Sequence, residues 1–273
     1  MATREAMMSL FHARRALVGM IHVGALPGTP AATRSVDEIV DTAIAEGLAY
    51  RDAGFNAVMI ENMHDVPYLK GGVGPEITAA MAVIALELHY EIDLPLGIQV
   101  LAGANREALA AALAGNARFI RAEGFVFGHV ADEGWIESSA GELLRYRREI
   151  GAADVRVFAD IKKKHSAHAV TADIDLAETA RSAEFFRADA VIVTGSATGR
   201  AADAAEVEAV TQAVGVPVFV GSGLTPDNLA GFAAADGFIV SSSVKHGGLW
   251  SNPLDRVSVE SMARAFERLP EKD

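Results

Sequence analysis

Polar side chains occur at the ends of several short apolar segments of the chain. In segment 155–162, an apolar set of residues alternates with Asp160 and Lys162. Alternate side chains of a strand point to opposite faces of a sheet, so these two residues should lie opposite the apolar set. The same reasoning selects polar residues near the ends of other segments, and these are His22, Glu61, Gln99, Arg121, Glu123 and Thr194.

These residue types are suited to proton transfer and to the stabilisation of negative charge. Asp160 or Glu61 could act as the general base. Lys162 could stabilise a developing oxyanion, or form a Schiff base if its pKa is lowered. His22 and His165 could shuttle protons. Isomerisation, aldol cleavage and glycosidic-bond chemistry are all compatible with this set. The residues expected to bind the substrate are Asn62, Gln99, Arg121, Glu123, Thr194 and Gly195.

Two alternatives apply to parts of this set. Arg121 and Glu123 could form an ion pair that only stabilises the protein, because buried charges need partners. The two histidines and two carboxylates considered for catalysis have the donor types of a divalent metal site. No two of them share a diagnostic spacing such as His-x-x-x-His, so a metal is an alternative and no cofactor is predicted.

Glycine and serine cluster in two segments near the end of the chain. Gly221, Ser222 and Gly223 end one apolar segment, and Ser242 and Ser243 follow another. Glycines let backbone N–H groups approach an anion closely, and barrels frequently bind phosphate in the loops after their last two strands. We therefore predict that these five residues bind phosphate. A simple tight turn is the structural alternative for Gly-Ser-Gly.

Eight apolar segments alternate with segments of helical periodicity. The apolar segments are 17–23, 57–62, 96–101, 119–123, 155–162, 190–194, 217–222 and 237–241. The helical segments are 35–52, 75–90, 106–114, 141–150, 173–187, 204–214, 225–234 and 257–269. Each apolar segment is rich in Val, Ile or Phe and is bounded by Gly, Pro or polar residues, as buried parallel strands are.

Eight strand–helix units predict an α/β fold, namely a (β/α)₈ TIM barrel. We expect one domain over residues 1–273, with a short N-terminal extension at 1–16. An open, doubly wound sheet is the structural alternative. In a barrel the polar residues would meet at the C-terminal ends of the strands, where barrel enzymes carry their active sites. The two long strand-to-helix loops, 24–34 and 124–139, lie at the same end.

The composition argues against several classes of site and partner. The chain has 273 residues, of which 51% are hydrophobic and 22% are charged, as in a typical globular protein. A net charge of -12 argues against binding to nucleic acid, and the absence of cysteine excludes disulfides and a thiol nucleophile. Since we find no secretory signal and no apolar run of about 20 residues, we expect a cytoplasmic protein without a membrane span. The high hydrophobicity also predicts a homo-oligomer.

Several longer motifs resemble those of one known family. Residues 19–28 (GMIHVGALPG) resemble the opening motif of the BtpA/SgcQ family, and EN at 61–62 with PY at 67–68 resembles its second-strand motif. Further matching segments are 160–165, 195–199 and 221–223, and the likeness extends from about 17 to 268. The resemblance implies a barrel enzyme. One branch of the family is associated with accumulation of photosystem I at the membrane surface, and the other with carbohydrate operons.

Two functions follow from these observations. The first is an isomerase, lyase or hydrolase that acts on a small phosphorylated substrate, either sugar-like or derived from a nucleoside. The second is a non-catalytic assembly factor for a membrane complex such as photosystem I, associated peripherally with the membrane. Such a factor needs an exposed apolar or basic surface, and we find no basic amphipathic helix in the sequence. The sequence therefore favours the enzyme.

Overall fold

Eight parallel strands form a closed barrel in the computed structural model, which describes residues 3–195 and 201–272. Each strand pairs with its neighbours in chain order, and the first strand closes the ring on the eighth, with Ala16 opposite Gly237. The predicted TIM barrel is therefore confirmed. The strands are β1 (Ala16–His22), β2 (Ala57–Glu61), β3 (Leu96–Gln99), β4 (Phe119–Ala122), β5 (Arg156–Ile161), β6 (Ala190–Val193), β7 (Val218–Val220) and β8 (Gly237–Val240).

Helices precede and connect the strands. The Ser35 hydroxyl accepts a hydrogen bond from the Glu38 amide, and the Glu38 carboxylate accepts one from the Ser35 amide, so the second helix starts at a capping box. None of the helices in the described part of the chain combines the length and apolarity needed to span a membrane. The helices are α1 (Thr3–Phe11), α2 (Val36–Asp52), α3 (Pro75–Ile92), α4 (Asn105–Ala114), α5 (Ala140–Glu149), α6 (Leu176–Phe185), α7 (Ala204–Ala213) and α8 (Arg256–Glu267).

The connection between β7 and β8 differs from the prediction. The sequence predicts a helix over 225–234, but the structure has a short 3₁₀ turn at Leu229–Phe232. The Asn228 side chain accepts a hydrogen bond from the Thr225 amide and donates one to the main-chain oxygen of Gly223, both at 2.8 Å. Such side-chain bonds compete with the backbone bonds of a helix, which explains the shorter element.

Aromatic side chains fill the N-terminal half of the barrel lumen. Phe119 stacks on Phe158 with ring centroids 4.8 Å apart, and Phe158 lies 5.0 Å from Phe219. Phe11 of α1 contacts all three rings at 5.7–6.3 Å. The predicted N-terminal extension therefore contains a helix that closes this end of the barrel. The polar strand ends lie at the opposite end.

The loops after β4 and β5 form a small second sheet. His129–Ala131 and Gly134–Ile136 pair as an antiparallel hairpin within the long loop predicted at 124–139. Ser166–Ala167, from the loop after β5, adds a third strand to this hairpin. Segment 162–165 is therefore held at both ends, by β5 on one side and by the small sheet on the other.

The packing of α1 leads to a prediction about stability. Phe11 is 3% exposed and Met8 is 44% exposed on the same helix. Phe11→Ala should lower the free energy of unfolding by about 3–5 kcal/mol, because it leaves a cavity among three aromatic rings. Met8→Ala is the matched control and should change it by less than about 1 kcal/mol. Urea unfolding measures both, and equal effects would show that α1 does not close the barrel.

Candidate active site

His22 and Glu61 lie side by side at the ends of β1 and β2. The two residues are register partners, and His22 Nε2 is 3.3 Å from Glu61 Oε2. His22 Nδ1 lies 3.1 Å from the main-chain oxygen of Trp250. Both ring nitrogens face acceptors, so the imidazolium, which has two N–H donors, satisfies both bonds.

The surroundings of Glu61 keep its carboxylate ionised. Burial by itself would raise the pKa of Glu61, but the hydrogen bond with His22 and the positive charges of His22, Arg121 and Lys164 outweigh burial and lower the pKa to about 2. A carboxylate with so low a pKa is a weak base. Glu61 is therefore better suited to stabilising the His22 imidazolium than to abstracting a proton from carbon.

Arg121 and Asp160 form a second buried ion pair, between β4 and β5. Arg121 Nε is 3.1 Å from each carboxylate oxygen of Asp160, and Arg121 Nη2 is 3.0 Å from Oδ2. The two side chains are only 4% and 1% exposed. The alternative of an Arg121–Glu123 ion pair is wrong, because Glu123 Oε2 instead lies 3.1 Å from Lys163 Nζ. Burial raises the pKa of Glu123, although the charge of Lys163 opposes this shift.

Asn62, predicted to bind substrate, connects the loops after β1, β2 and β3. Its Nδ2 donates to Asp65 Oδ2 at 2.8 Å, and its Oδ1 accepts from the Leu101 amide at 2.7 Å. Asp65 Oδ1 accepts in turn from the Leu26 amide at 2.8 Å. Asn62 is 1% exposed. The geometry therefore gives Asn62 a part in holding the three loops together.

Three further residues are predicted to bind the substrate, namely Gln99, Thr194 and Gly195. Gln99 Nε2 donates to Glu123 Oε1 at 3.3 Å, and Gln99 Oε1 is buried without a hydrogen-bond partner among the described residues. The Thr194 hydroxyl accepts from the Lys164 amide at 3.1 Å, so it positions that residue. Gly195 is buried. The rest of its motif, 196–199, lies outside the described residues.

Lys162 and His165 lie elsewhere than the sequence predicts. Lys162 Nζ donates to the main-chain oxygen of Thr171 at 3.0 Å, and His165 is exposed. Lys162 and His165 have positive φ angles of 44° and 54°. Because the backbone at Lys162 is left-handed, the strand alternation ends there, and the expectation that Lys162 points into the lumen is wrong. Neither residue lines the cavities that contain His22 or the Gly-Ser-Gly loop, and Lys162 instead lines a separate cavity of about 20 Å³ with Asp160 and Lys163.

Lys164 occupies the position expected for Lys162. It lines a small cavity of about 20 Å³ together with His22, Glu61 and Arg121. Burial and the charge of Arg121 lower the pKa of Lys164, although three nearby carboxylates raise it. The sequence signal for this residue was the basic run 162–164, but the spacing could not show which lysine enters the site.

The predicted phosphate-binding residues surround a larger cavity of about 180 Å³. Lys164, Gly221 and Ser242 line both cavities, so the two adjoin. The larger one therefore opens directly beside the His22–Glu61 pair. Its lining includes Lys164, Gly221, Ser222, Gly223, Ser242 and Ser243.

The two glycines of the Gly-Ser-Gly motif have different roles. A Cβ at position 221 would lie 2.7 Å from Ile192 Cγ2 and 3.5 Å from Arg121 Nη2, so Gly221 permits close packing at the junction of the cavities. Gly223 has a φ of 66°, a left-handed conformation that favours glycine. The motif is thus needed both for close packing against Ile192 and for the turn.

Trp250, from the loop after β8, lies near two histidines of the site. Its ring centroid is 5.0 Å from that of His64 and 6.2 Å from that of His22. Burial and the charges of His22 and Lys245 lower the pKa of His64. The sequence did not point to Trp250, because its contact with His22 is made by a main-chain oxygen. A pattern of side-chain types cannot predict such a contact. In the described part of the chain, no group of three His, Asp or Glu residues is arranged to hold a metal ion.

The fold and this site define a (β/α)₈ barrel with an ionic, glycine- and serine-lined cavity at the C-terminal ends of its strands. The chain belongs to the BtpA family, whose model matches residues 13–268. It is 49% identical to a mitochondrial protein of Caenorhabditis elegans over 93% of this chain and 94% of that protein. It is also 35% identical to the photosystem I biogenesis protein BtpA of Synechocystis, covering 96% and 93% of the two chains.

Solved structures with the same fold include an enzyme with a bound phosphorylated substrate. The (S)-3-O-geranylgeranylglyceryl phosphate synthase of Thermoplasma acidophilum, in complex with sn-glycerol-1-phosphate, matches with a TM-score of 0.61 and 14% identity. The match covers 98% of this chain and all of the synthase chain. At this identity the likeness shows a shared fold.

The ionised Glu61 leads to a prediction about pH. Its folded-state pKa of about 2 lies below the unfolded value of about 4.3, so its contribution to stability is complete above the unfolded pKa and is lost as the pH falls toward 2. The difference in unfolding free energy between the wild type and Glu61→Gln should shrink by about 1 kcal/mol between about pH 6 and pH 3.5.

Urea unfolding of both proteins across this range measures the effect. Glu260→Gln is the control, because Glu260 pairs with Arg264 on the exposed face of α8. Its difference from the wild type should stay nearly constant over the same range. If the difference in unfolding free energy between the wild type and Glu61→Gln does not change with pH, the neighbours of Glu61 do not hold its carboxylate ionised.

Proposed function

We propose that this protein is an enzyme that acts on a small phosphorylated substrate. The observation that carries the proposal is the junction of the two cavities, which places the glycine- and serine-lined loops next to His22, Glu61 and Arg121. A phosphate held in the outer cavity would leave the rest of a small substrate beside these charged groups.

The outer cavity has the chemistry of an anion site. The backbone amides of Ser222, Gly223, Ser242 and Ser243 are the proposed donors, since loops of this kind at the ends of the last two strands bind phosphate in many barrels. Serine hydroxyls can add hydrogen bonds without adding bulk. Lys164 adds positive charge to the same lining. The Ser243 hydroxyl is buried without a partner among the described residues.

The inner groups are suited to proton transfer and to stabilising an oxyanion. The His22 imidazolium, stabilised by the ionised Glu61, is the proposed general acid. Arg121 supplies a fixed positive charge, since its pairing with Asp160 locks its orientation. An isomerase, lyase or hydrolase reaction on a sugar-like or nucleoside-derived phosphate would use these roles. The synthase with bound sn-glycerol-1-phosphate supports the substrate class by its fold.

A pair of substitutions at Gly223 tests the anion site. Both Asp and Asn tolerate the left-handed backbone at this position better than most residues, so the two variants should be strained to a similar degree. Gly223→Asp adds a negative charge beside the proposed phosphate, whereas Gly223→Asn adds a neutral side chain of the same shape. Gly223→Asp should bind inorganic phosphate about tenfold or more weakly than Gly223→Asn does, since like charges repel.

Isothermal titration with inorganic phosphate, and thermal shift with a panel of phosphorylated metabolites, measure this difference. Ligand at about 100 times its Kd should stabilise the wild type by about 2.7 kcal/mol. Equal phosphate affinity in the two folded variants would place the phosphate elsewhere. Failure of every phosphorylated compound to stabilise the wild type would contradict the proposed substrate class.

A further inference from the structure

Lys164 differs from the other lysines near the mouth of the barrel. Lys162 Nζ donates to a main-chain oxygen, Lys163 Nζ pairs with Glu123 at 3.1 Å, and Lys245 Nζ pairs with Glu46 at 3.3 Å. The ε-amine of Lys164 makes no hydrogen bond or ion pair with the residues that the structure describes. An amine without such a partner is available to a ligand.

The backbone of Lys164 is held in place although its amine is not. Its amide donates to the Thr194 hydroxyl at 3.1 Å, and its main-chain oxygen accepts from Ser166 at 3.3 Å. Ser166 itself belongs to the small sheet. Lys164 therefore lies in a segment that is held in place, and only its flexible four-carbon side chain extends into the site.

Lys164 also stands at the junction of the two cavities. It lines the outer cavity with the Gly-Ser-Gly loop and the inner cavity with His22 and Glu61. A substrate whose phosphate occupies the outer cavity would pass this amine before reaching His22. The position suits a group that reacts with the carbon next to the phosphorylated end of a small molecule.

We propose that Lys164 forms a Schiff base with a carbonyl group of the substrate, which is a phosphorylated aldehyde or ketone. This inference rests on the proposed function, because it assumes that the phosphate occupies the outer cavity. It assigns to Lys164 the covalent role that the sequence suggested for Lys162. It also narrows the substrate class from phosphorylated molecules in general to phosphorylated carbonyl compounds.

The chemistry needs no oxidant or reductant. The neutral amine of Lys164 attacks the carbonyl carbon, a C–N bond forms, and a proton moves from nitrogen to the carbonyl oxygen to give a carbinolamine. The hydroxyl group then leaves as water with a proton from the His22 imidazolium, and a protonated imine remains. Glu61 stays ionised throughout. Hydrolysis of the imine returns the proton to His22 and releases the amine.

The electrostatic surroundings favour this role. Burial and the charge of Arg121 lower the pKa of Lys164, which increases the fraction of the neutral, nucleophilic amine.

Trapping with sodium borohydride tests the inference on the full chain. Dihydroxyacetone phosphate is the probe, and glycerol 3-phosphate is the matched compound with a phosphate and no carbonyl. After reduction, the wild-type chain should gain the mass of the probe less one oxygen atom, and peptide mapping should place the adduct on Lys164. Glycerol 3-phosphate should give no adduct.

Lys164→Arg separates the covalent role from simple charge, because arginine keeps the positive charge and forms no imine under these conditions. This variant should retain binding of inorganic phosphate and lose at least about 90% of the trapped adduct. Lys162→Arg, in the same basic run, is the control, and it should form the same amount of trapped adduct as the wild type.

The outcomes distinguish this inference from the proposed function. A wild type that binds inorganic phosphate but forms no adduct, or forms it on another lysine, overturns the role of Lys164 and leaves the phosphate site standing. An adduct on Lys164 without binding of inorganic phosphate supports the amine chemistry and overturns the phosphate site. If the wild type neither binds inorganic phosphate nor forms an adduct, both the phosphate site and the role of Lys164 are overturned.

Discussion

The ion pair between Arg121 and Asp160 is the interaction on which the rest of the site depends. A buried guanidinium is tolerated only when it is well paired, and removing its partner would cost about 3–5 kcal/mol. Asp160 provides that pairing through three close contacts. The fixed charge then acts on its surroundings, because it helps to lower the pKa values of both Glu61 and Lys164.

The two halves of the lumen have opposite chemistry: one half is apolar and the other is charged. Stacked aromatic rings and α1 fill the N-terminal half with close apolar packing. The C-terminal half holds paired charges in adjoining cavities. Because the packed lower half positions the ends of the strands, it also positions the charged groups above it.

The arrangement separates binding from chemistry within one small site. Contacts to a phosphate at one end of a substrate can hold the reacting end in place, and binding energy from a non-reacting group is used in this way by many enzymes. Lys164 lies between the two regions and belongs to the lining of both. The segment that carries Lys164 is held by the small sheet, and Asn62 and Asp65 hold the loops after β1, β2 and β3 together. Some residues that the sequence predicts to bind substrate, such as Asn62, thus hold loops of the site together.

The sequence by itself determined the barrel, its eight strand positions and the end at which polar residues gather, because these depend on the local alternation of apolar and polar residues. It also located the Gly-Ser-Gly loop, since a close-packed turn requires glycine whatever surrounds it. Only the tertiary structure decided the partners: Arg121 with Asp160 instead of Glu123, Asn62 with the loops, and His22 with a main-chain oxygen of Trp250. The strand alternation ends at Lys162, where the backbone is left-handed, and Lys164 therefore enters the site in place of Lys162. The small sheet holds the segment that follows. Such choices depend on contacts between residues far apart in the chain, and no local pattern carries that information.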